Sequence, residues 1–171
     1  MYRLFLSVFL AFSLLGCSSS GNSSKEEKWD IKEQSVEEKA PDFVLEDLEG
    51  KKVKLSDYKG KVVFLVFSTT WCRYCRAEIP HLKKMYSQYK EKGLEIINID
   101  IQESREKVSS FAAKHELPYK VLLDEDGKVA RTYGVRGVPT KILIGKDGKI
   151  LCRECRSVET LLESLLGGKA E

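Results

Sequence analysis

Residues 61–76 read Lys61-Val-Val-Phe-Leu-Val-Phe67-Ser-Thr-Thr-Trp71-Cys72-Arg-Tyr-Cys75-Arg76. The first seven residues form an almost unbroken apolar run, rich in β-branched and aromatic side chains and short enough for one strand. A strand without polar alternation is covered on both faces, as in the middle of a sheet flanked by helices. Ser68-Thr69-Thr70 follows as a turn. Over residues 76–92, Ile79, Leu82, Met85, Tyr86 and Tyr89 fall on one helical stripe, and Gly93 ends the segment. Cys72 is therefore placed where a buried strand gives way to a helix N-terminus. Free backbone N–H groups and the positive helix end there favour a thiolate, the nucleophile of disulfide exchange. Arg73 and Arg76 add positive charge. Cys72 is expected to be the exposed attacking sulfur, and Cys75, about one turn on, the thiol that releases product from a mixed disulfide. The plainer readings of the pair are a structural disulfide or half of a metal site.

Outward from this centre, strands and helices alternate. Residues 43–48 and 52–55 read as a hairpin turned at Glu49-Gly50-Lys51. Residues 94–101 read as a strand, 104–115 as a helix with Ser104 as N-cap, 119–123 as a strand and 126–133 as a short helix. Residues 141–144 and 149–151 pair across Lys146-Asp-Gly148, and 157–166 close the chain as a helix before Gly167-Gly168. The pattern predicts an α/β fold: a three-layer α/β/α sandwich with a mixed sheet and an added N-terminal β-hairpin. The chain has 171 residues, 42% hydrophobic and 32% charged, which suits one soluble domain. A formal net charge of +3, spread over interspersed Lys and Glu, gives no reason to expect a nucleic-acid partner.

The N-terminus reads as an address. Met1-Tyr2-Arg3 precedes an uncharged stretch over residues 4–15, too short to span the ~30 Å hydrocarbon core, which takes about 20 residues. Leu14-Leu15-Gly16-Cys17 resembles the lipobox of bacterial lipoproteins, in which cleavage leaves a lipidated cysteine. Residues 1–16 are thus expected to be a signal peptide and Cys17 a lipid anchor; a plain secretory signal or short uncleaved anchor is the alternative. Residues 17–39, rich in Ser and then in charge, read as a flexible tether, with the domain spanning 40–168. That address puts the chain outside the cytoplasm, in a bacterial cell envelope, where disulfides persist.

Trp71-Cys72-Arg73-Tyr74-Cys75 resembles the WCxxC motif of the thioredoxin superfamily. Cys72, Cys75, Glu78 and Pro80 as CxxCxxExP, with Ala40-Pro41-Asp42-Phe43 upstream and Gly137-Val138-Pro139-Thr140 downstream, resemble its TlpA/ResA branch of membrane-anchored thiol–disulfide oxidoreductases. The resemblance covers about residues 40–166 and implies Cys72 as nucleophile and Cys75 as resolving cysteine. It implies Pro139 as a cis-proline facing the disulfide, Val138 as a backbone partner for a bound substrate, and Trp71 beside the site. Thioredoxin's buried aspartate on the central strand falls here at Val66. The branch uses the acid at Glu78 instead, where a carboxylate could relay the Cys75 proton; a solvated helix glutamate is the alternative. His81 and His115 are expected to be surface residues without a role. No cofactor beyond the Cys72–Cys75 disulfide, and no metal, is implied. The implied clients are disulfides of exported proteins, with apocytochrome c as a leading one, and the implied electron source is a membrane thiol-electron transporter.

Cys152-Arg-Glu-Cys155 lies outside that motif. In a thioredoxin-like sheet, which the resemblance implies, the strand preceding it runs parallel to the strand before Cys72, two strand spacings or roughly 10 Å away, so the two pairs should not bridge each other. Pairing Cys152 with Cys155 requires the strand to end or turn near Cys152. A local staple, a second redox pair, and a metal or intermolecular site all remain open. So do two other classes of function: a lipoprotein using the scaffold to hold a metal or client, and a thiol oxidase or isomerase. A peroxidase is disfavoured, because Thr69-Thr70-Trp71-Cys72 lacks the Pro/Thr pattern before a peroxidatic cysteine.

Overall fold

The computed structural model of the chain describes residues 38–155 and 157–167. The signal peptide at 1–16, Cys17 and nearly all of the tether lie outside the described residues. The end of the tether does not: Lys39 forms a β-bridge with Lys149, the Ile150 N–H donates to the Glu38 carbonyl at 2.8 Å, and the Ala40 N–H donates to Gly148 at 2.9 Å. The ordered fold thus takes in Glu38 and Lys39, which the sequence assigns to the tether. Their charge hides a main-chain pairing, to which the Glu38 carboxylate adds an ion pair with Arg153 at 3.1 Å.

Seven strands form one sheet: β1 (Val44–Asp47), β2 (Lys52–Lys54), β3 (Val62–Ser68), β4 (Leu94–Ile101), β5 (Lys120–Asp124), β6 (Thr140–Ile144) and β7 (Ile150–Arg153). Their order is β2-β1-β5-β4-β3-β6-β7. The β3, β4 and β5 strands are mutually parallel; β1 and β6 run antiparallel to their neighbours, so the sheet is mixed. Among the described residues there are four α-helices, α1 (Arg73–Tyr89), α2 (Arg105–Lys114), α3 (Lys128–Thr132) and α4 (Val158–Leu166), and short 3-10 turns at Leu55–Tyr58 and Lys90–Lys92.

The β3 run is buried at every position, as its composition requires. Alternate side chains serve opposite faces. Val62, Phe64 and Val66 pack with Leu82, Met85 and Tyr89 of α1 and with Val158 and Leu162 of α4. Val63, Leu65 and Phe67 pack with Val129, Ala130 and Tyr133 around α3 and with Phe43 and Leu55 of the N-terminal segment. Helices on both faces of the sheet make the three layers, and β1–β2 is the added hairpin. Because β6 runs antiparallel beside β3, with Thr140 opposite Phe67, the loops before β6 and after β3 meet at one rim.

Candidate active site

The turn after β3 is held from three sides. Thr70 donates through its N–H and its Oγ1 to the Glu103 carboxylate, at 2.5 and 2.7 Å, and its carbonyl accepts from Arg76 Nη1 at 3.1 Å. Glu103 lies just beyond β4, is buried, and is also paired with Lys107. Burial alone would raise its carboxyl, but Lys107 and the Thr70 donors outweigh burial and hold it below the usual range. Asp100 is the register partner of Ser68 and is buried beside it. Burial first, then its hydrogen bond to Glu103 and that group's charge, push the Asp100 carboxyl up to about 8. One acid of the pair therefore keeps its proton at neutral pH while the other is ionised.

This turn delivers Cys72 to the N-cap of α1. The helix begins at Arg73, three residues before the apolar stripe suggests, because Cys72 takes an extended conformation and its sulfur accepts the Cys75 N–H at 3.1 Å. Cys72 and Cys75 are joined as a disulfide with Cα atoms 5.3 Å apart. The Val138–Pro139 peptide bond is cis, and the Val138 carbonyl oxygen lies 3.6 Å from Cys72 Sγ. The expectation that Cys72 is exposed is overturned. It is only 4% exposed, with its sulfur folded back over the first turn and faced by Val138, whereas Trp71 and Tyr74 on either side are 64% and 76% exposed. Trp71 is therefore no core aromatic; it stands out as a lip beside the sulfurs.

Glu78 lies one turn beyond Cys75 on α1. With Cys75, Pro139, Val66 and Asn98 it lines a small recess between helix and sheet, and Lys141 Nζ sits 3.3 Å from its carboxylate. Val66 is fully apolar and buried, so the acid in this recess comes from the helix and not the strand. His81 is a surface residue paired with Glu159 at 2.8 Å, and the His115 ring lies tilted against Phe111 with centroids 4.3 Å apart.

The second pair is also joined, Cys152 to Cys155, with Cα atoms 5.6 Å apart. The strand ends at Arg153, and Glu154 turns the chain with φ 51°, which brings residues i and i+3 of a former strand together. Each CxxC thus closes on itself. Among the described residues no cluster of three or more His, Cys, Asp or Glu side chains is arranged to hold a metal.

A family model described as "AhpC/TSA family" matches residues 36–152. The thiol-disulfide oxidoreductase ResA of Bacillus cereus is 42% identical over 151 residues, 88% of this chain and 84% of that protein. The chain belongs to the ResA-like thiol–disulfide oxidoreductases of the AhpC/TSA family. Solved structures agree with this ResA-like assignment. A thiol:disulfide interchange protein from a Bacteroides species is 30% identical with a TM-score of 0.71, over 78% of this chain and 91% of that one. The thioredoxin domain of a thiol-disulfide oxidoreductase from Bacteroides vulgatus is 30% identical with a TM-score of 0.69, over 75% and 96%. The fold is thioredoxin-like, and the chain is an enzyme of thiol–disulfide exchange.

Sequence reasoning brings Trp71, Cys72, Cys75, Glu78, Val138 and Pro139 to one rim, and the structure gathers them there. It misses Asp100, Glu103 and Lys141. Glu103 stands in Gln102-Glu103-Ser104-Arg105, where an acid beside a helix start reads as a surface cap. Its burial comes from Thr70, 33 residues away, and no local signal marks that contact.

Proposed function

We propose that this ResA-like enzyme reduces disulfides of exported proteins from a lipid anchor at Cys17, on the outer side of a bacterial membrane. The observation that carries the proposal is a CxxC disulfide at the N-cap of α1, its Cys72 sulfur 3.6 Å from the Val138 carbonyl, with the acid Glu78 in the recess behind Cys75. In the reduced enzyme the helix N-terminus and the Cys75 N–H stabilise a Cys72 thiolate. That thiolate attacks a client disulfide: one client sulfur leaves as a thiolate and a Cys72–client bond forms. Cys75 loses its proton toward Glu78 and attacks Cys72 Sγ, so the second client sulfur also leaves as a thiolate and the Cys72–Cys75 bond closes; one proton from Glu78 and one from water make the client a dithiol. A donor dithiol then returns two electrons and two protons. The Val138 carbonyl offers an acceptor to an extended client backbone, and Trp71 gives the bound chain an apolar wall. The cycle uses no cofactor beyond the disulfide itself. Apocytochrome c before haem attachment is the proposed client and a membrane thiol-electron transporter the proposed donor, a choice that rests on the motif resemblance to the TlpA/ResA branch.

An equilibrium redox titration with each cysteine followed by alkylation and mass tests the direction of flow. A Cys72–Cys75 potential near or below about −250 mV supports a reductase, and one above about −180 mV replaces that reading with an oxidase or isomerase. Cys72→Ser is expected to abolish insulin reduction, and full activity in that variant would refute the mechanism.

A further inference from the structure

The Cys152–Cys155 disulfide is physically connected to the active-site acid. Its two-residue turn carries Glu154, a non-glycine residue in the left-handed region. Glu154 grips Lys141 twice: its N–H donates to the Lys141 carbonyl at 2.8 Å, and its Oε1 accepts the Lys141 N–H at 2.7 Å. Lys141 is two residues past Pro139, and its ammonium is the group 3.3 Å from Glu78. A second link runs through α4, which begins just after the disulfide: Glu159 pairs with His81, one turn past Glu78 on α1. The conformation of Glu154 is unfavourable for a residue with a Cβ and persists only while its surroundings impose it. Those surroundings are the disulfide and the two hydrogen bonds to Lys141.

The bond is also a poor staple. It closes a loop with a sequence separation of 3, where a cross-link removes least entropy from the unfolded chain. Both of its cysteines are half-buried and flank the exposed Arg153 and Glu154, whereas Cys72 and Cys75 are buried. The second pair is thus the more open of the two to solvent.

We propose that Cys152–Cys155 is a second thiol–disulfide exchange site, a redox switch that sets through Glu154 and Lys141 how Glu78 is held beside Cys75. Its reductant is a protein dithiol. One donor thiolate attacks Cys152 or Cys155, the S–S bond breaks and a mixed disulfide forms. The donor's second thiol then displaces the bound cysteine. Two electrons and two protons pass to Cys152 and Cys155, and the donor is left as a disulfide. With the bond open, Glu154 relaxes from the left-handed region, its grip on Lys141 is lost, and the ammonium leaves Glu78. Glu154 and Lys141 are positioning residues in this scheme, which rests on the reading of Glu78 as the acid serving Cys75.

The test uses the full chain in detergent, equilibrated in graded thiol–disulfide buffers with each cysteine quantified by alkylation and mass. Wild type is compared with Cys152→Ser/Cys155→Ser, Glu154→Ala and Glu154→Gln. The double serine variant and Glu154→Ala are expected to shift the Cys72–Cys75 equilibrium constant threefold or more, about 14 mV, in the same direction. Combining the changes should add nothing further. Glu154→Gln, which keeps an acceptor for the Lys141 N–H, is expected to stay near wild type. A shift below threefold, shifts of opposite sign, or a Cys152–Cys155 bond that stays closed until the protein unfolds overturns the switch. Should the double serine variant fail to fold, Glu154→Ala decides by the same threshold with the disulfide intact. A wild-type Cys72–Cys75 pair inert to every buffer sinks the functional reading itself; an active pair that the variants leave unmoved sinks only the switch.

Discussion

Thr70 has its N–H, its hydroxyl and its carbonyl all engaged, by Glu103 and by Arg76. Removing the Glu103 carboxylate leaves two buried donors without a partner, each worth roughly 1–3 kcal/mol of desolvation. Glu103→Ala is therefore expected to destabilise the fold by about 2–6 kcal/mol in denaturant titrations, and to slow disulfide exchange by loosening the turn that presents Cys72. Asp100 makes a separate prediction. Its carboxyl is raised from 3.8 to about 8 in the fold, so across that interval the folded protein holds a proton that the unfolded chain has released. The stabilisation is complete below about pH 3.8 and is lost as pH rises through 8. Glu103 has the opposite sign: its lowered carboxyl stabilises above its usual range, and that contribution disappears on acidification. Asp100→Asn keeps a donor toward Glu103 and cannot ionise. It is expected to flatten the loss between about pH 4 and 8, raising stability at pH 8.5 by at least ~1 kcal/mol, or roughly 3–6 °C in Tm, with little change below about pH 3.8.

At the scale of elements, the sequence is most legible where a signal is both local and redundant. The strand expected at 94–101 is observed as Leu94–Ile101, since its apolar run is bounded by Gly93 on one side and by polar residues on the other. The start of α1 is less legible. Arg73 and Tyr74 are exposed and carry no apolar period, and the helix is started there by the Cys72 sulfur, a capping group that sequence patterns do not announce. The short helix expected at 126–133 is trimmed to Lys128–Thr132, where Asp124 accepts the N–H groups of Val129 and Ala130 from the end of β5. The α4 helix is legible as an amphipathic stripe, and its docking partner is not. Leu162 is wholly buried against the α1 face of the sheet. Leu162→Ala is expected to cost about 2–4 kcal/mol in chemical denaturation, as a buried leucine truncation does.

At the scale of the whole molecule, the rim that holds the disulfide is built from loops whose strands are paired, so fold and site are specified together. Alternation fixes which face each β3 residue serves, and the strand order then places the residues before β6 beside those after β3. What resists reading is the coupling between distant polar groups, because Glu103 to Thr70 and Lys141 to Glu78 span 33 and 63 residues. Anchoring adds one prediction: if Cys17 carries the lipid, Cys17→Ser moves the protein from the detergent phase to the aqueous phase on phase separation, and unchanged partition removes the anchor. The sheet's margins bear on that arrangement. One is β2, three residues long and bearing Lys52 and Lys54. The other is β7, whose first residues are already covered by Glu38 and Lys39 and whose last is Arg153. Among the described residues neither margin offers a long, neutral row of free amides on which another copy could continue the sheet. If Cys17 tethers the molecules side by side, crowding would raise their encounter rate without these two strands serving as a template for edge-to-edge growth.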